Sequence, residues 1–208
     1  MDSLLLKRGT LGGVNALLAV VCDGVGSLVD GAFASGTAVQ MLNDWFDKVS
    51  VTEHIGLRMR DEILIINNHV RAVAMKHGID TASTLSALLL VESNYFITHI
   101  GDSRIYCYEN EALSILTCDD VSESGKLTAC IGQVDDIFLQ YYEGSAIEKT
   151  FLLCSDGLYK RMNMDIVTLK MKAWNKKTQK ETVEFLSQYV IGRGEQDNIS
   201  LALVKIER

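Results

Sequence analysis

Apolar and polar positions along the chain change period several times, and each change predicts an element. Leu4 to Leu6 and Val14 to Val21 read as two strands joined by a glycine-rich turn at Gly9, Gly12 and Gly13. Ala38, Met41, Leu42 and Trp45 then fall at i, i+3, i+4 and i+7, and Ile55, Met59, Ile63, Ile66, Val70 and Val73 make one longer apolar stripe. Both patterns predict amphipathic helices. Strand character returns at Ser83 to Val91 and Tyr95 to Ile100, separated by Glu92-Ser93-Asn94, and at Ile105 to Tyr108 and Leu113 to Thr117, separated by Glu109-Asn110-Glu111-Ala112. Ile137 to Tyr142 and Thr150 to Cys154 are further strands. Helices are expected over Met164 to Trp174 and Thr178 to Val190, the second ended by Gly192 and Gly194, before a closing strand from Ile199 to Ile206.

This order lacks regular βαβ alternation. It predicts an α+β sandwich with sheets in the middle and helices outside. At 208 residues, one domain is expected, with no internal repeat or linker.

The apolar strands share a feature. "VVCDG" ends on Asp23, "FITHIGDSR" runs into Asp102, "FLLCSDG" ends on Asp156, and "GEQDNISLALV" opens its strand at Asp197. One such aspartate is an ordinary turn residue. Four suggest a meeting point, if the strand ends share one edge of the sandwich. Crowded carboxylates raise one another's pKa, and a divalent cation relieves that cost. Hard oxygen ligands with no nearby His or Cys favour Mg²⁺ or Mn²⁺ over zinc.

Composition narrows the classes. Net charge is −7, with 48% hydrophobic and 23% charged residues, which argues against a nucleic-acid partner. No run reaches the length of a membrane span and no signal peptide is recognisable, so the expected location is cytoplasmic, without membrane contact. Cys22, Cys107, Cys118, Cys130 and Cys154 are scattered and odd in number, and read as reduced core residues. Cys154 precedes Arg161 at C-x6-R spacing, which does not meet the C-x5-R requirement of a cysteine phosphatase. His54, His69, His77 and His99 show no metal-ligand spacing. Lys170, Lys172, Lys176, Lys177 and Lys180 cluster around Trp174, either as a solvated helix face or as a docking patch for an acidic partner.

Six stretches in order carry a resemblance: "VCDGVGSLVDGAFAS", "ASTLSALLL", "HIGDSRIYCYENEALSILTCDD", "LTACIG", "LLCSDGLY" and "DNISLALV". Together they resemble the metal-dependent protein phosphatase (type-2C serine/threonine phosphatase, PPM) family in its compact bacterial form. The resemblance implies a four-layer α-β-β-α sandwich with two central, mainly antiparallel sheets and two Mn²⁺ or Mg²⁺ between them. It implies that Asp23 bridges both metals, that the Gly24 carbonyl ligates one, and that Asp156 and Asp197 complete the other, with Asn198 orienting its neighbour. "MDSLLL" resembles the end of another family motif and makes Asp2 the residue that bonds metal-bound water. Asp102 would hold a weaker third metal. Ser103 and Arg104 beside it would form a turn that locks the strand end.

The implied activity is hydrolysis of phosphoserine and phosphothreonine in proteins by a metal-bridged hydroxide, with no covalent intermediate, within the pathway of a cognate kinase. Three departures stand out. The family has a strand ahead of Met1 with a phosphate-binding arginine, so residues 1–208 are expected to form one domain lacking that strand. The flap is shortened to little more than Val121 to Lys126. Lys160 stands where many members carry an acidic ligand of the third metal. The lysine counts against the third metal at Asp102, while the missing strand and short flap favour the alternative expectation, a catalytically weak or inactive pseudophosphatase serving as a regulatory binding module. The retained Asp23, Asp156 and Asp197 favour catalysis.

Overall fold

The computed structural model describes residues 1–26, 28, 30–175 and 177–206. The chain opens with a long hairpin, β1 (Asp2–Leu11) and β2 (Val14–Asp23), followed by α1 (Gly31–Lys48) and α2 (Ile55–His77). Two further hairpins follow, β3 (Leu85–Val91) with β4 (Asn94–Ile100) and β5 (Arg104–Glu109) with β6 (Ala112–Ile115). After a long loop come β7 (Gln140–Ser145) and β8 (Thr150–Cys154), then α3 (Asp156–Tyr159), α4 (Met164–Ala173), α5 (Gln179–Gly192) and β9 (Leu201–Lys205).

The strands form two sheets, ordered β1-β2-β3-β4-β7 and β6-β5-β8-β9. Every pairing is antiparallel. Three apolar clusters fill the three spaces between four layers. Leu18, Val20 and Cys22 of β2 join Ala38, Leu42, Met59, Ile63 and Val70 of α1 and α2. The alternate residues Ala19 and Val21 point the other way and meet Ile105, Phe151 and Leu153 of the second sheet. On that sheet's far face, Tyr106, Leu152 and Cys154 meet Val167, Met171, Leu186 and Val190 of α4 and α5. The period-2 alternation of β2 and β8 thus builds the α-β-β-α order, because each strand is buried on both faces.

Several boundaries differ from the sequence reading, each for a local reason. Gly9 lies inside β1, where a side chain would meet the Phe46 ring at 3.0 Å, and only Gly12 and Gly13 make the turn. The two short hairpin loops shrink to Glu92-Ser93 and Asn110-Glu111, with positive φ at Glu92, Asn110 and Glu111. Such tight turns match the strand twist, so pairing extends to their edges. Ile137 stays in the loop ahead of β7, packed on the helix-side core. β3 starts later than Ser83, which forms isolated bridges to Gly24 and Ile131. In α2 the stripe closes on Ala74 and not Val73, since Ala74 lies one turn after Val70 on the sheet-facing line. The short α3 was not anticipated, and Cys118 is exposed where a core residue was expected.

Candidate metal centre at the strand ends

The antiparallel order decides where the aspartates go. The register pairs Asp2 at the start of β1 with Asp23 at the end of β2. Leu85 pairs with Ile100, so the Gly101-Asp102 turn leaves β4 at the same end of the sheet. In the second sheet Arg104 pairs with Cys154 and Cys154 with Leu201, which brings Asp102, Asp156 and Asp197 to one side. β2 lies against β8 and β9, so the two ends face each other. The result is one cavity of about 170 Å³ lined by Met1, Asp23, Gly24, Val25, Gly26, Thr84, Asp102, Leu127, Asp156 and Asp197.

Backbone packing holds the carboxylates there. Thr84 clamps Asp23 from both sides: its amide donates to the Asp23 carbonyl (2.9 Å) and its Oγ1 accepts from the Asp23 amide (2.9 Å). Ser83 Oγ donates to the same carbonyl at 3.0 Å. Gly24 packs against Gly31 so closely that a Cβ on it would lie 2.4 Å from the Gly31 carbonyl oxygen. Gly157 plays the same part on the other sheet, where a Cβ would lie 2.1 Å from the Asn198 carbonyl oxygen. That contact brings the Asp156 turn against the Asp197 turn.

Burial and like charge set the electrostatics. Asp23 is pushed up to about 9 by burial first, then by the charges of Asp2 and Asp156. Asp102 is also raised, by burial and by Asp156, with Lys160 acting the other way. A proton on Asp23 can be shared with Asp2 and Asp156. Once all three are ionised none can donate, and both Asp2 oxygens and Asp156 Oδ1 lie buried without a partner. Buried carboxylate oxygens without hydrogen-bond donors are costly, and the cations beside them are the Met1 ammonium, 3.9 Å from Asp2 Oδ1, and Lys160.

An all-oxygen set of this kind fits Mg²⁺ or Mn²⁺ in chemistry. Among the described residues no three acidic, His or Cys side chains yet converge on one point. Lys160 Nζ lies 2.5 Å from Asp156 Oδ2 and takes up one of the oxygens that convergence would use.

The supporting residues act differently from one another. Asn198 contributes backbone: its amide donates to Asp197 Oδ1 (2.8 Å), and its carbonyl packs over Gly157. Ser103 Oγ bonds Thr84 Oγ1 at 2.7 Å and its carbonyl accepts from Ser86 Oγ at 2.8 Å, tying the two sheets together beneath Asp23. Arg104 forks onto Asp119 through Nε (3.0 Å) and Nη2 (2.7 Å) and stacks on Tyr159 with 3.7 Å to the ring centroid. His99 is fully buried, with Nε2 facing the carbonyls of Gly101 (3.1 Å) and Cys118 (3.2 Å) and Nδ1 against Ser86 Oγ (2.8 Å). Burial lowers its pKa, against the opposing pull of Asp120 and the two carbonyls.

Thr84 and Asp119 had no assigned role in the sequence reading. Thr84 stood inside a recognised stretch, and Asp119 was one of two adjacent aspartates, with nothing local to tell their tasks apart.

The lysine cluster near Trp174 is largely used within the fold. Lys172 pairs with Glu111 (2.6 Å), Lys180 with Glu184 (3.6 Å), and Lys170 sits over the Phe185 ring. Lys176 lies outside the described residues. No helix among the described residues is long and apolar enough to cross a membrane.

Comparison with known proteins follows the same line. The family model described as "Protein phosphatase 2C" matches residues 8–196. The chain is 29% identical over 231 residues to a "Putative protein phosphatase" of Mycoplasma genitalium, covering 93% of this chain and 86% of that one. It is 27% identical over 221 residues to "Serine/threonine phosphatase stp" of Listeria monocytogenes, covering 92% and 85%. In fold it resembles the crystal structure of serine/threonine phosphatase Stp1 from Staphylococcus aureus, with a TM-score of 0.86 at 19% identity over 100% of this chain and 95% of the other.

Proposed function

This chain belongs to the protein phosphatase 2C family, and we propose that it hydrolyses phosphoserine and phosphothreonine in proteins with two divalent cations, Mn²⁺ or Mg²⁺, held at the strand ends. Residues 1–208 act as one phosphatase domain. Asp23, the Gly24 carbonyl, Asp156 and Asp197 would hold the ions, with Asp102 the nearest carboxylate for a weaker third. The observation that carries this reading is the convergence of Asp23, Asp102, Asp156 and Asp197 on one cavity at the strand ends, with Asp156 Oδ1 buried and without a hydrogen-bond partner.

Bound divalent ions supply a low-pKa water and a clamp on the phosphoryl oxygens. The chain's own residues prepare for that. Thr84 fixes the Asp23 backbone, and the Gly157–Asn198 contact fixes Asp156 against Asp197. Asp2 stands opposite Asp23 in the strand register, its carboxylate oxygens buried without a hydrogen-bond partner and Oδ1 3.9 Å from the Met1 ammonium. Val25 follows Gly24, so no side-chain acid stands at that position of the cavity lining. The flap is a tight turn closed by the Val121–Leu127 bridge, and Leu127 lines the cavity. The substrates are those of a cognate serine/threonine kinase, and the free buried thiols fit a reducing, cytoplasmic compartment.

The test is hydrolysis of p-nitrophenyl phosphate and a phosphothreonine peptide with Mn²⁺, Mg²⁺ or EDTA, beside Asp23→Asn and Asp156→Asn. Turnover is expected only with metal and should fall by at least about a hundredfold in each variant. Turnover that persists in EDTA would overturn the reading. A second reading, a regulatory module without turnover, has one observation on its side, the Lys160 ammonium seated on Asp156. It predicts that wild type hydrolyses neither substrate with any metal, no better than the two variants.

A further inference from the structure

The carboxylate cavity contains a cation of its own. Lys160 follows α3 directly, and its position four residues after Asp156 places both side chains one helical turn apart on the same face. Its Nζ lies 2.5 Å from Asp156 Oδ2, and its charge also acts on Asp102 and Asp197, two other carboxylates lining the cavity. The partners differ in setting. The Asp156 side chain is 13% exposed and that of Lys160 58% exposed, so the ammonium reaches inward from solvent and has room to swing away. The second oxygen of Asp156, Oδ1, is buried with no partner. The Lys160 ammonium therefore leaves part of the Asp156 charge unmet, and the Met1 ammonium, 3.9 Å from Asp2 Oδ1, pairs with a different carboxylate.

We propose that Lys160 is a tethered competitor for the metal site: its ammonium holds Asp156 when divalent ions are scarce, and an ion reaching Asp156 must displace it. The inference rests on the metal reading of the site given above. Lys160 is a positioning residue that acts through Asp156. A divalent ion wins the exchange because it brings twice the charge and accepts several oxygens at once, including the orphaned Oδ1. An ion pair as exposed as this one weakens a competitor only a few-fold. The like charge of an ammonium left nearby adds a further factor of similar size. The consequence is a threshold: the cavity fills over a higher range of metal concentration than its carboxylates alone would set.

The experiment is calorimetric titration of the purified chain with Mn²⁺, comparing wild type with Lys160→Met and Lys160→Arg. Methionine keeps most of the aliphatic stem and removes the charge, and thermal unfolding in EDTA checks that both variants fold. Lys160→Met should bind Mn²⁺ about five- to tenfold more tightly, and Lys160→Arg no more tightly than wild type. Wild type and Lys160→Met binding Mn²⁺ with the same affinity would overturn the inference while leaving the metal site standing. Wild type taking up no Mn²⁺ at all would remove the metal reading, and this inference with it.

Discussion

Asp2 and Asp23 face each other as a register pair across the open end of the β1–β2 hairpin, and neither oxygen of Asp2 has a hydrogen-bond partner. Two carboxylates directly opposite on antiparallel strands repel when both are ionised. Asp156 adds its charge to theirs, so negative charge is concentrated at this end of the hairpin.

A pH dependence of stability follows. Asp23 is raised to about 9 in the fold, against about 4 in an unfolded chain. The folded state binds the extra proton between those values, so this carboxylate's contribution is fully present below about pH 4 and is lost as pH rises through about 9. In EDTA, the melting temperature should fall from pH 6 to pH 9. Mn²⁺ binding at pH 7 should release about one proton, read by titrating in buffers of different ionisation enthalpy. Binding with no proton release would contradict the raised Asp23.

Gly157→Ala should damage both stability and metal binding. A methyl group there would lie 2.1 Å from backbone oxygen of Asn198, which cannot swing aside as a side chain would. The expected cost is about 2–3 kcal/mol in denaturant unfolding, with weakened Mn²⁺ affinity because the Asp156 and Asp197 turns are pushed apart. Gly192→Ala, which meets nothing within 4 Å, is the control and should change stability by under about 0.5 kcal/mol.

Arg104→Lys tests the base of the flap. The arginine makes a forked contact with Asp119 and lies flat on Tyr159. An ammonium reproduces neither the fork nor the stacking. A loss of about 1–2 kcal/mol is expected, together with faster proteolysis within residues 119–127. Unchanged proteolysis would mean that Arg104 does not hold the flap.

His99→Ala should cost about 3 kcal/mol. It empties a buried site and leaves the Gly101 and Cys118 carbonyls and Ser86 Oγ short of a partner. The pKa of His99 is lowered, so the wild-type contribution is present above the unfolded value near 6.5 and is lost as pH falls below it. The stability gap between wild type and His99→Ala should therefore narrow from pH 7 to pH 5, as measured by urea unfolding. A constant gap would show that the ring does not titrate with folding.

Much of this protein can be read along the chain. Among the described residues, the periods of 2 and 3.6 marked eight of nine strands close to their place and four of five helices, and the aspartates at strand mouths were visible as local pattern. These features depend on neighbours a few residues apart, where backbone geometry alone decides which side chains share a face. The ninth strand, β7, was shifted because Ile137 is apolar for packing under a loop and not for pairing. The short α3 escaped because four residues carry no periodicity.

The site itself required the tertiary structure. Asp2 and Asp23 are 21 residues apart and Asp156 lies far beyond both; only strand register and the stacking of β2 on β8 and β9 bring them together. The Gly157–Asn198 contact, the Thr84 clamp and the seat of Arg104 on Tyr159 are likewise matters of which surfaces meet. Residue types decided that the strand ends would be acidic and that a hard cation would suit them. The antiparallel stacking of two sheets decided that those ends share one cavity, and only there do burial and like charge act together on aspartates that are separate turn residues along the chain.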